Sequence, residues 1–338
     1  MNVPTRSTLL AAASATSLLL AGCGDDGGAA AGSAGGDGPT VVAGFYPLQW
    51  ATERVGGDRV TVSSLTPAGA EPHDLELTPR DVAAVVDADL LVYLEGFQPA
   101  LDDTAANEAA DTAWDAGQAA DLSLTIEEHG HEGEGEAEEE QAEEEQAEEE
   151  QAEKEHAEED GEGGESVDPH FWLDPTRLAA VGEALADRLA DLDPDGADTY
   201  RQNAAALGSD LAALDAEMAA GLATCAVDTL VTGHDAFGYL ADRYGLEVVG
   251  ISGLSPSQEP DPSQLAEIST LVRERGVTTV YTETLVDPAV AETVAEEAGV
   301  QTAVLDPLEG LTDESAGSDY LEVMRANLAT LQAGQSCS

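Results

Sequence analysis

The chain has 338 residues and a formal net charge of -57, with 12 Lys and Arg against 69 Asp and Glu. Binding to a phosphate backbone requires clustered Lys and Arg, so this composition excludes nucleic acid as a partner. A chain of this length exceeds the size at which one hydrophobic core keeps growing, and two domains are therefore expected.

The N-terminus predicts a lipoprotein signal peptide at residues 1–22. Arg6 precedes an apolar run from Leu9 to Ala21, which is too short to remain in a bilayer as a spanning helix. The following Leu20-Ala21-Gly22-Cys23 resembles the lipobox of bacterial lipoproteins, so we expect export and lipidation of Cys23 on the outer face of the cell membrane. The alternative is an ordinary secretory signal with a chance cysteine. Residues 23–39, rich in Gly, Ala, Asp and Ser, are expected to form a flexible tether.

Short β-branched runs alternate with helical patterns from Thr40 onward. This alternation indicates βαβ units on a mainly parallel sheet. The elements expected in this first lobe, residues 40–193, are strands at 41–45, 60–62 and 90–94 and helices near 48–55 and 79–87.

A glutamate-rich tract interrupts the first lobe at residues 127–165. It carries 21 acidic residues against one lysine, and Glu-Glu-Glu-Gln-Ala occurs three times in register. A five-residue repeat matches no helical face, and the like charges oppose compaction. The tract is therefore predicted to be a disordered insertion.

A long helix is predicted at residues 194–222. Its apolar positions recur at spacings of three, four and seven residues: Tyr200, Leu207, Leu211, Leu214, Met218 and Leu222. A helix of some 25 residues is about 38 Å long and long enough to run along both lobes. The alternative is an ordinary packing helix that belongs to one lobe.

A second alternating series predicts another α/β lobe at residues 223–338. Its expected elements are strands at 229–231, 248–251, 277–281 and 302–305 and helices after His234, at 262–275 and at 288–298. The predicted fold class is thus α/β, with two similar lobes built on mainly parallel sheets and joined by a long rigid helix.

Two cysteines remain in the exported part of the chain, Cys225 and Cys337. Disulfides persist in such a compartment, and a single pair permits a single bridge. A bridge would attach the extreme C-terminus to the segment before the first strand of the second lobe. The alternative is two buried free thiols.

Three histidines and one aspartate form a candidate metal site: His73, His170, His234 and Asp306. Three imidazole nitrogens and one carboxylate suit a four-coordinate transition metal, most naturally zinc. Because open α/β sheets gather ligands at the carboxyl ends of strands, the set is expected in the cleft between the lobes. Each residue has an ordinary alternative: an exposed loop for His73, core packing for His170, helix capping for His234 and a turn for Asp306.

The motifs around these residues resemble the solute-binding lipoproteins of zinc and manganese ABC importers, from about Thr40 to Cys337. The resemblance rests on five motifs in order: Gly69-Ala70-Glu71-Pro72-His73, Asp168-Pro169-His170-Phe171-Trp172-Leu173-Asp174-Pro175, Gly233-His234-Asp235-Ala236-Phe237-Gly238-Tyr239-Leu240, Tyr281-Thr282-Glu283 and Leu305-Asp306-Pro307-Leu308. It implies a non-enzymatic, monomeric binding protein that captures a divalent ion outside the cytoplasmic membrane and delivers it to an ABC permease with its ATPase.

The resemblance also implies the ligand set and the ion. His73, His170 and His234 are the nitrogen ligands, and Asp306 matches the position of the carboxylate ligand or its near neighbour. Manganese-carrying members tend to have glutamate where His234 stands, so Zn²⁺ is expected and Mn²⁺ is the alternative.

The insertion lies where zinc-importing relatives carry a loop rich in histidine and acid. Here glutamate dominates, and His129, His131 and His156 are the histidines left as an auxiliary metal loop. Carboxylates are hard ligands that select poorly for zinc, and the alternative is a solvated segment without a metal role.

Two other classes of function compete with transport. A metal hydrolase would use Glu71, Asp235 or Glu283 as a general base, although the chain lacks the His-Glu-x-x-His spacing of common zinc proteases. A surface adhesin would carry a structural metal on which its folding depends.

Overall fold

The strands of the structure fall into two groups separated by the long helix region. The structure is a computed structural model that describes residues 38–127, 165–258 and 260–338. Its strands are β1 (Thr40–Ala43), β2 (Thr61–Ser64), β3 (Leu90–Tyr93), β4 (Ala113–Asp115), β5 (Thr125–Glu127), β6 (Glu165–Val167), β7 (Thr229–Thr232), β8 (Glu247–Gly250), β9 (Thr279–Thr282) and β10 (Gln301–Val304).

Each lobe is built on a four-stranded parallel sheet. The strand order is β2-β1-β3-β4 in the first lobe and β10-β9-β7-β8 in the second. In both sheets the strand that comes first in the chain lies between the second and the third, and the fourth follows the third. The two lobes therefore share one topology, and the predicted α/β class with parallel sheets is confirmed.

Helices cover the sheets and connect the strands. They are α1 (Tyr46–Gly56), α2 (Pro79–Asp87), α3 (Pro99–Glu108), α4 (Gly117–Ala120), α5 (Pro175–Leu192), α6 (Ala197–Leu222), α7 (Gly238–Tyr244), α8 (Pro262–Arg275), α9 (Ala289–Ala298) and α10 (Tyr320–Gly334). Several begin at a proline preceded by a capping side chain, because proline is preorganised for the first helical position and the cap accepts an orphan N–H. Thr78 before α2 and Asp174 before α5 cap in this way.

The long helix α6 has 26 residues and runs along both lobes. Its buried side chains are Tyr200, Ala204, Leu207, Leu211, Leu214, Met218 and Leu222, which include the whole predicted stripe. It packs against α1 and α5 of the first lobe and α10 of the second. Residues 194–196 form a 3-10 turn before the helix starts at Ala197.

The largest hydrophobic core is continuous between the lobes. It joins Val41 and Leu48 of the first lobe, Leu211 of α6, and Leu230 and Met324 of the second lobe. Each lobe also has a smaller core, which lies between its sheet and the helices on the other face of that sheet. Since closely packed interiors resist deformation, a shared core favours two lobes that move little relative to each other.

Several elements are not predicted by the sequence patterns above. They are α3, α4, α5, α10, β4 and the antiparallel pair of β5 with β6. The β5–β6 pair joins Thr125 to Val167 across the insertion, and a pairing over such a sequence distance has no local signal. The small-residue content of α3 and α5 weakens their apolar periodicity, although α5 does bury Leu178, Val181 and Leu185 on one face.

Cys225 and Cys337 form the predicted disulfide, which joins positions 112 residues apart. Three groups of predictions lie outside the described residues: the signal peptide with Cys23, most of the tether, and the insertion with His129, His131 and His156. Among the described residues, the helices lack the length and apolarity that crossing a membrane requires.

Candidate metal centre

His73 lies in the loop that follows β2 and precedes α2. Its backbone N–H donates to Glu71 Oε1 at 3.1 Å, and its ring packs edge-on against Phe97 with centroids 4.5 Å apart. The loop is also attached to the start of α3, because Gln98 Nε2 donates to the Pro72 carbonyl at 3.1 Å. These contacts place the imidazole at the carboxyl end of the first sheet.

His170 lies just before the 3-10 turn that leads into α5, and Asp168 holds it. Asp168 Oδ1 accepts from the backbone N–H of His170 at 2.9 Å and lies 2.8 Å from its Nδ1. An ionised carboxylate only accepts hydrogen bonds, so Nδ1 carries the proton and the Nε2 lone pair is left for a metal. Both side chains are buried.

His234 follows β7, and Glu283 at the end of the neighbouring strand β9 holds it in the same manner. Glu283 Oε1 accepts from the His234 backbone N–H at 2.8 Å, and Oε2 lies 2.6 Å from Nδ1. The close approach requires Gly233, because a Cβ there would stand 2.5 Å from Glu283 Oε1. The adjacent parallel strands thus set both the position and the tautomer of His234.

The three histidines converge on Glu309, in the loop after β10. Glu309 Oε1 lies 3.3 Å from His73 Nε2, 3.2 Å from His170 Nε2 and 3.1 Å from His234 Nε2. His73 Nε2 and His170 Nε2 are 3.4 Å apart, and all four ligand atoms lie within 4.8 Å of one another. A tetrahedron of ligands at about 2.0–2.1 Å from Zn²⁺ has six edges of about 3.3–3.4 Å, and these four separations are close to that length.

Access to the four side chains differs. The side chain of His73 is 9% exposed, whereas His170, His234 and Glu309 are fully buried. Solvent therefore reaches this group on the His73 side.

The charges of the four groups depend on each other. Burial works against the ionised form of Glu309, but the His234 charge and hydrogen bonds with the histidines hold its pKa well below the usual value. Burial also lowers the pKa of His73. For His170 and His234 burial acts in the same direction, yet the carboxylates Asp168, Glu283 and Glu309 outweigh it and raise both pKa values.

Two further acids stand beside the group. Burial and the charge of Glu309 raise the pKa of Glu71 to about 8. Burial and the charge of Asp168 raise the pKa of Asp235 to about 6. The Glu71 carboxyl is thus largely neutral at pH 7, which limits the negative charge around the four ligand atoms.

Asp306 is not part of the four-residue group, and this corrects the predicted ligand set. Its Oδ1 accepts from the Leu308 N–H at 2.8 Å, and its Oδ2 accepts from Ser315 Oγ at 3.2 Å. Both carboxylate oxygens are therefore committed to the loop, which is the turn alternative named above. The carboxylate that meets the histidines is Glu309, three residues further along the same loop.

Sequence reasoning missed Glu309 and the holding roles of Asp168 and Glu283. Asp168 and Glu283 do lie inside the motifs that carry the resemblance, and an acid two residues before a histidine is a usable signal. Glu309 has a weaker signal: it directly follows the Leu305-Asp306-Pro307-Leu308 motif.

A family model for ZnuA, described as the periplasmic component A of the zinc-uptake complex, matches residues 41–334. The chain belongs to the ZnuA family. The match spans both lobes and includes all four residues of the group.

Two relatives of this ZnuA-family chain are named as zinc uptake or zinc-binding proteins. High-affinity zinc uptake system protein ZnuA of Bacillus subtilis is 34% identical over 303 residues, 88% of each chain. Zinc-binding lipoprotein AdcA of Streptococcus pneumoniae is 38% identical over 298 residues, which are 86% of this chain and 55% of AdcA. The chain therefore spans about half the length of AdcA.

Solved structures share the two-lobe fold. The laminin-binding protein Lmb of Streptococcus agalactiae, described as a bifunctional protein with adhesin and metal transporting activity, aligns with a TM-score of 0.71 and 31% identity, covering 88% of this chain and 100% of Lmb. The Zn(II)-bound ZnuA-like domain of S. pneumoniae AdcA aligns with a TM-score of 0.65 and 33% identity, covering 88% of this chain and 99% of that domain.

Proposed function

We propose that this ZnuA-family protein captures Zn²⁺ outside the cytoplasmic membrane with His73, His170, His234 and Glu309. The observation that carries the proposal is the convergence of three imidazole Nε2 atoms on one carboxylate oxygen at 3.1–3.3 Å. These separations match edges of a zinc tetrahedron, and in two of the three rings a carboxylate lies against Nδ1, so that Nε2 is the nitrogen left for the metal.

The ligand chemistry favours zinc over manganese. Manganese prefers oxygen ligands in an octahedral shell, whereas a set of three imidazoles and one carboxylate suits zinc. The names of the relatives point the same way, since AdcA is named a zinc-binding lipoprotein and the Bacillus ZnuA a zinc uptake protein.

Transport explains the group better than hydrolysis does. A catalytic zinc site keeps one position open for water, and here four protein ligands would fill the tetrahedron. Of the general bases considered above, Glu283 is engaged by His234 through both carboxylate oxygens and is not free to activate a water. We therefore propose a binding protein without enzymatic activity.

A structural metal is also disfavoured as the main role. The ligand-bearing segments are held by Asp168, Glu283 and a core continuous between the lobes, so we expect the fold to persist without the ion. Lmb is described as both an adhesin and a metal transporter; an adhesive role in this chain would add to zinc binding rather than replace it.

The partners and location follow from the same role. We propose that the protein is a monomer, anchored to the outer face of the cell membrane through a lipid on Cys23. It would pass zinc to an ABC permease that works with its ATPase. The match to component A of a zinc-uptake complex supports the delivery of zinc to a transporter.

Metal competition tests the proposal. The purified protein is offered equal Zn²⁺ and Mn²⁺, and the bound ion is identified by native mass spectrometry. We expect one Zn²⁺ per chain in the wild type, a large loss in His234→Ala and Glu309→Gln, and no loss in Glu314→Gln, an exposed glutamate of the same region. Preference for Mn²⁺, or equal retention in all three variants, would contradict the assignment.

The same measurement on a form without residues 128–164 tests the insertion. Because the four residues of the group lie outside the tract, we expect unchanged zinc stoichiometry. Binding that disappears with the tract would move the main site into it.

A further inference from the structure

The loop that carries Glu309 is held in an unusual backbone conformation. Leu308, directly before Glu309, has φ of 60°, in the left-handed region that non-glycine residues rarely adopt. Its side chain is fully buried, so it cannot relax into another conformation without disturbing the core. Such a residue persists only where its surroundings determine its conformation.

Asp306 supplies the main determinant. Its Oδ1 accepts the Leu308 N–H at 2.8 Å, which closes an Asx turn over Pro307. Its Oδ2 accepts from Ser315 Oγ at 3.2 Å, which attaches the turn to the far end of the same loop.

Helix α10 fixes the backbone of Asp306 as well. The Asp306 N–H donates to Asn327 Oδ1 at 3.0 Å, and Asn327 Nδ2 donates to the Asp306 carbonyl at 2.7 Å. Asn327 is itself buried. The residue whose carboxylate holds Leu308 is therefore fixed to helix α10.

The loop is attached to the His170 segment on its other side. Trp172 Nε1 donates to the Pro307 carbonyl at 2.8 Å, and Tyr320 Oη donates to the Trp172 carbonyl at 2.6 Å. The turn at Pro307 and Leu308 is thus held by Asp306 on one side and by Trp172, two residues from His170, on the other. Asp306 and Trp172 together set the direction in which Glu309 leaves the turn.

We infer that Asp306 is a positioning residue: its carboxylate holds Leu308 in the left-handed conformation and so directs Glu309 Oε1 at the three histidines. This inference rests on the proposed zinc-binding function and deepens it. Asp306 acts on the ion through Glu309, so removing its carboxylate costs affinity only while Glu309 is present.

A double-mutant cycle tests this dependence. Zinc Kd is measured by competition with a chromogenic chelator at pH 7.5 for the wild type, Asp306→Ala, Glu309→Gln and the double variant. We expect Asp306→Ala to weaken binding about 10–100-fold, as loss of a partner that orients a ligand typically does. In the Glu309→Gln background the same substitution should change Kd by less than about twofold, because coupled residues are not additive.

The conservative variant separates positioning from ligation. Asn keeps an acceptor for the Leu308 N–H, and its amide can donate to Ser315 Oγ, so Asp306→Asn should stay within about threefold of wild type. The visible absorption of bound Co²⁺ gives a second readout. Asp306→Ala should resemble Glu309→Gln, and Asp306→Asn should resemble the wild type.

A control variant separates a loss of stability from a loss of zinc affinity. Val294→Ala removes buried volume from the outer core of the second lobe and should lower thermal stability without changing zinc Kd. If Asp306→Ala fails to fold, Ser315→Ala replaces it in the cycle, with a smaller loss of affinity that again vanishes in the Glu309→Gln background.

The outcomes distinguish the two claims. Wild-type affinity and spectrum in Asp306→Ala, losses that add fully to those of Glu309→Gln, or an Asp306→Asn variant as weak as Asp306→Ala would each overturn the positioning role while zinc binding stands. Wild-type protein that binds no zinc, or Glu309→Gln that binds as wild type, would instead overturn the proposed function.

Discussion

Glu283 binds His234 through both of its carboxylate oxygens, one on the backbone N–H at 2.8 Å and one on Nδ1 at 2.6 Å. The two residues follow neighbouring parallel strands, β7 and β9, whose carboxyl ends meet at the same edge of the sheet. Asp168 repeats the arrangement on His170 with a single oxygen. Each lobe thus contributes a histidine whose ring is oriented before any metal arrives.

Substituting Glu283→Gln should weaken zinc binding about 10–100-fold, a typical cost of losing a partner that orients a metal-binding histidine. A glutamine cannot accept from both donors of His234, because one of its two terminal atoms is an amide nitrogen that only donates. Chelator competition measures the effect. The control is Glu247→Gln, an exposed glutamate of the same lobe whose partner is Arg275, and equal affinities of the two variants would remove the orienting role.

Substituting Gly233→Ala should also weaken zinc binding, because the new Cβ would stand 2.5 Å from Glu283 Oε1 and displace the carboxylate. We expect a loss in the same direction as that of Glu283→Gln and no larger. Gly208→Ala is the matched control, since a Cβ there meets nothing within 4 Å in the middle of α6. Unchanged affinity in Gly233→Ala would show that Glu283 can shift without consequence.

Zinc affinity should fall steeply from pH 7.5 to pH 5.5. The carboxylates around His170 and His234 outweigh the effect of burial and raise both pKa values, so protons compete with the ion at neutral pH and below. Two competing protons give up to about a hundredfold change per pH unit below both pKa values. A flat titration by chelator competition would exclude imidazole ligands.

The contribution of His170 and His234 to the stability of the metal-free protein should fall as the pH rises, whereas zinc affinity rises with pH. A pKa raised on folding stabilises the folded state fully below the unfolded value of about 6.5, and this contribution is lost as the pH rises through the folded pKa. Zinc replaces the protons there, so the difference in Tm between zinc-loaded and chelated protein should grow with pH. A constant difference between pH 6 and pH 8 would contradict this linkage.

Chelation should leave the protein folded but less stable. A ligand at 100 times its Kd stabilises the folded state by about 2.7 kcal/mol, which corresponds to roughly 4–5 °C in Tm at an unfolding entropy of about 2.1 cal/mol/K per residue. Circular dichroism with and without a chelator measures the shift. Loss of the folded spectrum at 25 °C after chelation would identify a structural metal and contradict the transport role.

The fold was largely predictable because its signals are local. Strands β1, β3, β7 and β9 are continuous buried runs, and helices such as α2 and α8 begin at a proline after a capping residue. The stripe along α6 recurs at helical spacing from Tyr200 to Leu222, about six turns, so its burial follows from the sequence. The β5–β6 pair has no such local signal, because its strands lie on opposite sides of the insertion.

The choice between Asp306 and Glu309 shows where local reasoning stops. Both are acids in one loop after β10, and residue type alone favours neither as a metal ligand. Asp306 precedes a proline and uses its carboxylate on Leu308 and Ser315, whereas Glu309 extends to the three histidines. The decision depends on the backbone conformation at Leu308, which Asn327 and Trp172 help to set from distant parts of the chain.

The sequence by itself determined the class of fold, the pairing of Cys225 with Cys337 and the three histidines brought to one place, because periodicity, cysteine count and strand-end position are properties of short segments. Tertiary structure alone decided which carboxylate faces the histidines and which acids orient their rings. Those relationships join His73 to Glu309 across 236 positions and His234 to Glu283 across 49. The first contact arises only when both lobes have packed around one core, and the second only when β7 and β9 have paired in one sheet.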